Sequence, residues 1–320
     1  IEPQSDMRHR AAVVQLIGRG ALVRGLKSLV LAMVATLVLP LAWAQSGNWA
    51  EETGSLVHKE GFVDLYLDAD GGRVLVALPA PDAEGVALRA IQATGLTAGL
   101  GSNPIGLDRG RANAGEIVAF RKVGDKVIAE IENWTYRASA DNPQERKAVR
   151  DSFARSFVWS GEGELLVDLS SYLTRDTMDV RARLKQHPKG GAFQISKELS
   201  MPDVSAALAF PDNVEFDAFL TLSSDEPKAE VWATAADARS VTLVQHTSLV
   251  RLPDDGYTPR MFDPRSGAID VGYYDFSAPL SGQVGQSFAR RFRLEKQDPT
   301  AASSPAKEPI VYYVDSGAPE

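Results

Sequence analysis

Residues 214–222 read VEFDAFLTL, and the phase of that stretch decides the fold. Val214, Phe216, Ala218, Leu220 and Leu222 fall on one side of an extended chain, and Glu215, Asp217 and Thr221 on the other. A period of two marks a strand with one face in a core and one in solvent, the usual state of an antiparallel sheet. The next long run, 241–252, reads VTLVQHTSLVRL and is apolar on both faces, as a central strand is. His246 shares a face with Val244, Val250 and Leu252, so it reads as a partly buried side chain with its polar atoms satisfied rather than as a metal ligand.

Upstream the same alternation recurs in pairs. FVDLYLD at 62–68 and RVLVAL at 73–78 are joined through Ala69-Asp70-Gly71-Gly72, a hairpin whose turn needs the positive φ that glycine supplies. Asp68, Asp70 and Gly71 also begin a calcium-loop pattern, but its later ligand positions and closing glutamate are missing. A second hairpin is expected from 116–123 and 126–134, turning at Gly124-Asp125. Between them 95–115 contains GLGSNPIGLDRGR, whose spacing fits neither the dinucleotide nor the P-loop pattern. It reads as a tight surface loop packed by its own glycines.

Helices are few and short. Asn142-Pro143 with Glu145 marks a helix start, with Val149, Phe153 and Phe157 spaced as one core-facing stripe. Leu165 to Leu169 reads as a strand, and Thr177 to Gln186 as a helix ended by Pro188 and Gly190-Gly191. Further on, 254–267 (DDGYTPRMFDPRSG) is dense in turn formers. Asp254, Asp255, Asp263 and Asp270 are calcium-ligand types, yet turn chemistry and ion pairs with Arg251, Arg260 and Arg265 account for them more simply. Phe288 to Glu295 alternates so that Arg290 falls on the side of Phe288, Phe292 and Leu294. A cation there needs a carboxylate, and Asp263 or Asp275 is the expected partner in a structural ion pair.

Composition bounds the function. The chain has 320 residues, 44% hydrophobic and 24% charged, a formal charge of −8 and no cysteine. It can bury a sizeable core, it has no thiol nucleophile or disulfide, and its acidity disfavours nucleic acid as a partner. Arg8, Arg10, Arg19, Arg24 and Lys27 precede the apolar run Leu29 to Leu41, and Ala42-Trp43-Ala44 precedes Gln45. This is the order of a signal peptide cleaved between Ala44 and Gln45, with an apolar run short of the roughly 20 residues of a spanning helix. The mature protein is therefore expected in the periplasm or outside the cell, free of the membrane.

The expected class is α+β and β-dominated, mainly antiparallel sheets with a few short helices, preceded by a signal-peptide helix. The expected organisation is 1–44 leader, 45–296 β-rich domain, 297–308 linker, and 309–320 the first strand of another domain. The linker rests on QDPTAASSPAK at 297–307, and the strand on the β-branched and aromatic run Ile310 to Val314 after Pro309.

The succession GSNPIGLDRG, AVRDSFARSF, LLVDLSSYLTRD, HTSLVRLPDDGYTPRMFDPRSGAIDVGYYDF, FARRFRLEKQDP and EPIVYYVD resembles the amino-terminal, non-catalytic region of bacterial secreted zinc-dependent metalloproteases. That region is a domain of unknown function, and PIVYYVD resembles the first strand of a metzincin-like catalytic domain carrying H-E-x-x-H. The resemblance implies zinc in the full-length protein and none here, with the catalytic domain and peptide or protein substrates as partners. His9, His58, His187 and His246 include no pair four apart, and no G-x-S-x-G elbow is present. Two readings follow: an accessory or pro-region of such a protease, or a free-standing periplasmic β-rich module that binds peptide or glycan.

Overall fold

The computed structural model describes residues 49–253, 256–312 and 314. The leader, with Ala44 and Gln45, lies outside the described residues, as do Asp254 and Asp255. The described residues divide into two compact units, a larger one of 49–252 with 273–285 and a smaller one built from those in 253–272 and 286–314.

In the larger unit a short helix α1 (Trp49–Thr53) leads into β1 (Val57–Lys59), β2 (Asp64–Asp68) and β3 (Arg73–Ala77). Then come β4 (Val86–Ala98), β5 (Glu116–Val123), β6 (Lys126–Ile131), β7 (Tyr136–Arg137), α2 (Pro143–Ser152), β8 (Ser156–Glu162) and β9 (Leu166–Asp168). Helices α3 (Ser170–Leu173) and α4 (Val180–Gln186) precede β10 (Gln194–Ile195), β11 (Met201–Ala209) and β12 (Asn213–Ser223). Helix α5 (Ala229–Thr234) and β13 (Ser240–Arg251) follow, and the last strands, β14 (Asp270–Asp275) and β15 (Gly285–Ala289), pass from one unit to the other.

The fold is β-dominated and mainly antiparallel. A four-stranded sheet runs β1-β2-β3-β9, and an eight-stranded one runs β10-β12-β13-β4-β5-β6-β8 with β11 also on β12. The expected hairpins are β2/β3 and β5/β6. The alternation of 214–222 faces inward as its phase requires: Val214, Phe216 and Ala218 enter one apolar cluster, Leu220 and Leu222 a second. Strand β13 divides the same way, with Leu249 in the first cluster and Val241 and Leu243 in the second.

Between the clusters the inward face is polar. Gln92, Thr94, Gln245 and Thr247 are all buried there, Gln245 opposite Leu96 and Thr247 opposite Thr94. Buried amides need partners, and they find them in the end of α3 and the segment after it. The Tyr172 hydroxyl donates to Gln92, Gln245 donates to the carbonyls of Leu173 and Arg175 at 3.2 and 2.8 Å, and the Thr177 N–H donates back to Gln245. The polar seam thus ties Tyr172 to Thr177 onto the sheet.

Several expectations are corrected. Strand β4 occupies a stretch for which no strand is expected, and Gly95 belongs to it, so the loop begins at Gly99. That loop is held less by its glycines than by Leu100, Ile105 and Leu107, which are buried in the second cluster. Gly99 is required by contact, since a Cβ there would lie 2.1 Å from the Leu107 carbonyl oxygen. Helix α2 is capped by the Asn142 side chain, which accepts from the Gln144 N–H, but it stops at Ser152. Phe153 leaves the helix extended and Phe157 lies exposed on β8, so the expected stripe is broken and only Val149 is buried.

In the smaller unit β15 ends at Ala289, short of the strand expected to Glu295. The expected linker is a closed loop: Gln297 N–H donates to the Pro305 carbonyl and Lys307 N–H to the Glu295 carbonyl. The described residues of 310–314 form no strand and are exposed. Among the described residues no helix is long and apolar enough to cross a membrane.

Candidate functional site

A compact group of chemically capable side chains lies on the outer face of β12 and β13. Register sets Asp217 opposite His246 and Glu215 opposite Ser248, so four polar side chains form two adjacent rungs. His246 Nδ1 lies 2.7 Å from Asp217 and Nε2 lies 2.8 Å from Glu215. The Ser248 hydroxyl donates to Glu215 and is 3.3 Å from His246 Nε2. On β4 the residue opposite His246 is Gly95, which leaves the imidazole room on that side.

Burial acts to lower the His246 pKa, but hydrogen bonds and charges from Asp217 and Glu215 outweigh it and raise it to about 9. The ring is therefore an imidazolium at neutral pH, with both N–H groups donated to carboxylates. A serine hydrolase needs the reverse, a neutral ring with a nitrogen open to the serine proton. Nor do the carboxylates converge on a point with the ring, because each occupies a different nitrogen. The cluster is an ion-pair clamp across two strands. Among the described residues no group of three or more His, Asp or Glu side chains is placed to hold a metal ion.

A second charged group crosses β4, β5 and β6. Arg121 meets Glu130 at 2.5 Å, Arg155 meets the same carboxylate at 2.6 Å, and Arg89 forks onto Glu132. Burial acts to raise the Glu130 carboxyl, and the hydrogen bonds of Arg155 and Arg121 overcome it to hold the group below the usual range. Each cation there has its acceptor, so this network too fastens strands.

The candidates read from the sequence go elsewhere. Arg290 lies beyond the end of β15 with its side chain exposed, instead of on an apolar strand face. Asp263 caps a turn and pairs with Arg265, 2.7 Å away, which holds its carboxyl low. Asp275 accepts from the N–H and hydroxyl of Ser139 and from the Ser277 N–H. The carboxylates expected to meet Arg290 have other partners: Asp263 a turn residue two away, which costs little entropy to meet, and Asp275 both Ser277 two away and the distant Ser139. Asp68 likewise accepts from Gly71 and pairs with Arg73, and Asp270 accepts from Ser287. His246 is satisfied as expected, by Glu215 and Asp217, which the sequence does not name as its partners. Their phase places them on a sheet's polar face; naming the pair required the β12/β13 register.

A model of the domain of unknown function DUF5117 matches residues 110–297. The chain belongs to this family. The search of the curated proteins found no match, and neither did that of the solved structures. The DUF5117 match runs from the loop after β4 to just beyond β15 and includes the whole His246 clamp. It leaves out β4, which lies between β13 and β5 in the sheet.

Proposed function

We propose that this chain is the amino-terminal accessory or pro-region of a secreted zinc-dependent metalloprotease, exported by the leader and not itself catalytic. One observation carries the reading beyond the resemblance. In the smaller unit none of the described side chains is buried, while Met261, Ile269, Val271, Phe292, Leu294, Val311 and Tyr312 stand exposed. Large apolar side chains left uncovered in one unit are candidates for contact with another surface. A metzincin-like catalytic domain, for which Ile310 to Val314 would supply the first strand, is an occupant that supplies both the apolar cover and the missing strand partners.

The role is then to fold, cover or position the protease, with zinc and substrate bound by the catalytic domain. The test is to read the frame beyond Glu320 for H-E-x-x-H, express that zinc-bearing segment separately, and titrate this chain into it. Submicromolar association that alters peptidase activity, and that Leu294→Glu with Val311→Glu weakens at least tenfold, is expected. A downstream segment without the motif, or one that does not associate, would overturn the assignment and favour a free-standing binding module.

A further inference from the structure

One arginine in the larger unit lacks what all its counterparts have. Among the described residues the other half-buried arginines each donate to a carboxylate or carbonyl: Arg73 to Asp68, Arg89 to Glu132, Arg121 to Glu130, Arg146 to Ala140, Arg175 to Tyr172 and Val158, and Arg183 to Met178. Arg137, at the end of β7, makes neither bond, and its Nε is buried without a hydrogen-bond partner.

What it has is aromatic. Its guanidinium carbon is 3.3 Å from the centre of the Tyr273 ring and 5.3 Å from that of Trp134. Rings take the flat faces of a guanidinium and leave its N–H donors, which lie in its plane, for another molecule. The acid beside it in register is Asp275, whose carboxylate is already engaged by Ser139 and Ser277. Burial draws the Arg137 pKa down, with Tyr273 and Asp275 acting in opposition. The Asp275 charge lies near but its hydrogen bonds go elsewhere, so the half-buried guanidinium keeps N–H donors without an acceptor, a costly state that a bound acceptor relieves.

We propose that Arg137, Trp134 and Tyr273 form a recognition site for a peptide carboxylate. The terminal guanidinium nitrogens take the two carboxylate oxygens in the plane, and the half-exposed Trp134 ring packs on the neighbouring apolar side chain of the peptide. A carboxylate fits better than a phosphate because a single cation faces it, and Glu132, which accepts from the Trp134 indole N–H, and Asp275 repel a dianion. This goes beyond the docking of a catalytic domain, as the site belongs wholly to the larger unit.

The test uses the full mature chain and fluorescence anisotropy of labelled hexapeptides of alanine and leucine. One has a free carboxyl terminus, one is amidated, and one is amidated with a single internal glutamate; inorganic phosphate is the competitor. Binding of either carboxylate-bearing peptide and not of the neutral one is expected, the preferred one showing whether a terminus or a side chain is read. Arg137→Lys keeps the charge and loses the fork, and should weaken binding at least tenfold with the melting temperature kept. Trp134→Ala, at an exposed position, should weaken it about threefold and serves as the second arm if the lysine variant does not fold. Equal affinity for all peptides, no binding, affinity unchanged in both variants, or binding of phosphate alone would overturn the proposal.

Discussion

Phe216 and Phe292 stand in similar company, EFDAF and RRFRL, yet one is 1% exposed and the other 44%. The difference lies in what surrounds them. Phe216 is on a strand paired on both sides, by β11 and β13, and its face belongs to a cluster completed by Val74 and Val76 of the four-stranded sheet and by Tyr172 of α3. Phe292 follows the end of β15 in a unit with no buried side chain among its described residues. Alternating apolar residues make a core only where a second apolar layer exists to meet them. The larger unit contains both layers; the smaller one carries apolar side chains without a second layer, which is the property expected of a surface awaiting a partner.

The most severe way to break this contrast is to remove a central strand from the larger unit. A chain limited to 110–297 lacks β4, so β13 and β5 lose their common neighbour and both apolar clusters lose a wall. It should show no cooperative thermal unfolding, whereas 45–297 should melt in a single transition. Cooperative melting of 110–297 would show that the sheet does not depend on β4.

Next in size is Phe216→Ala, which empties a fully enclosed site and should cost about 3 to 5 kcal/mol, read from urea unfolding. The His246 clamp comes after it. Its pKa is raised from 6.5 to about 9, so its stabilisation is fully present below pH 6.5 and is lost as pH rises through 9. The shift corresponds to about 3 kcal/mol. Urea midpoints measured between pH 6 and 10 should fall by that measure in the parent and fall much less in His246→Gln. The smallest effect is the control: Phe292→Ala should change stability by no more than about 0.5 kcal/mol, as surface changes do. A large loss there would mean that Phe292 is covered within this chain, and would remove the support for a docked partner.

How much of this was legible in advance follows from the range of each interaction. The strands of 64–68, 73–77, 116–123 and 213–223 are legible because period-two alternation and Asp-Gly or Gly-Asp turns are local signals, and 240–251 because a long run is apolar on both faces. Strand β4 was missed because Gly95 and the glycines after Ala98 resemble a loop, and its identity as a strand comes from the neighbours on either side. The Phe153 and Phe157 stripe failed because spacing of four does not reveal where a helix stops. Phe153 instead stacks on Tyr136, with ring centres 4.1 Å apart.

From its residues alone the chain declares a β-dominated, antiparallel, cysteine-free protein, and the faces on which its polar residues lie. Which polar residues meet was not in it. Glu215 and Asp217 clamp His246 across strands separated by some thirty residues, and Arg137 rests on Tyr273 across a much longer stretch. Alternation is set by backbone geometry, residue by residue, and can be read one strand at a time. Partnership is set by register between distant segments, which arises only when burial of both apolar clusters chooses one pairing among many.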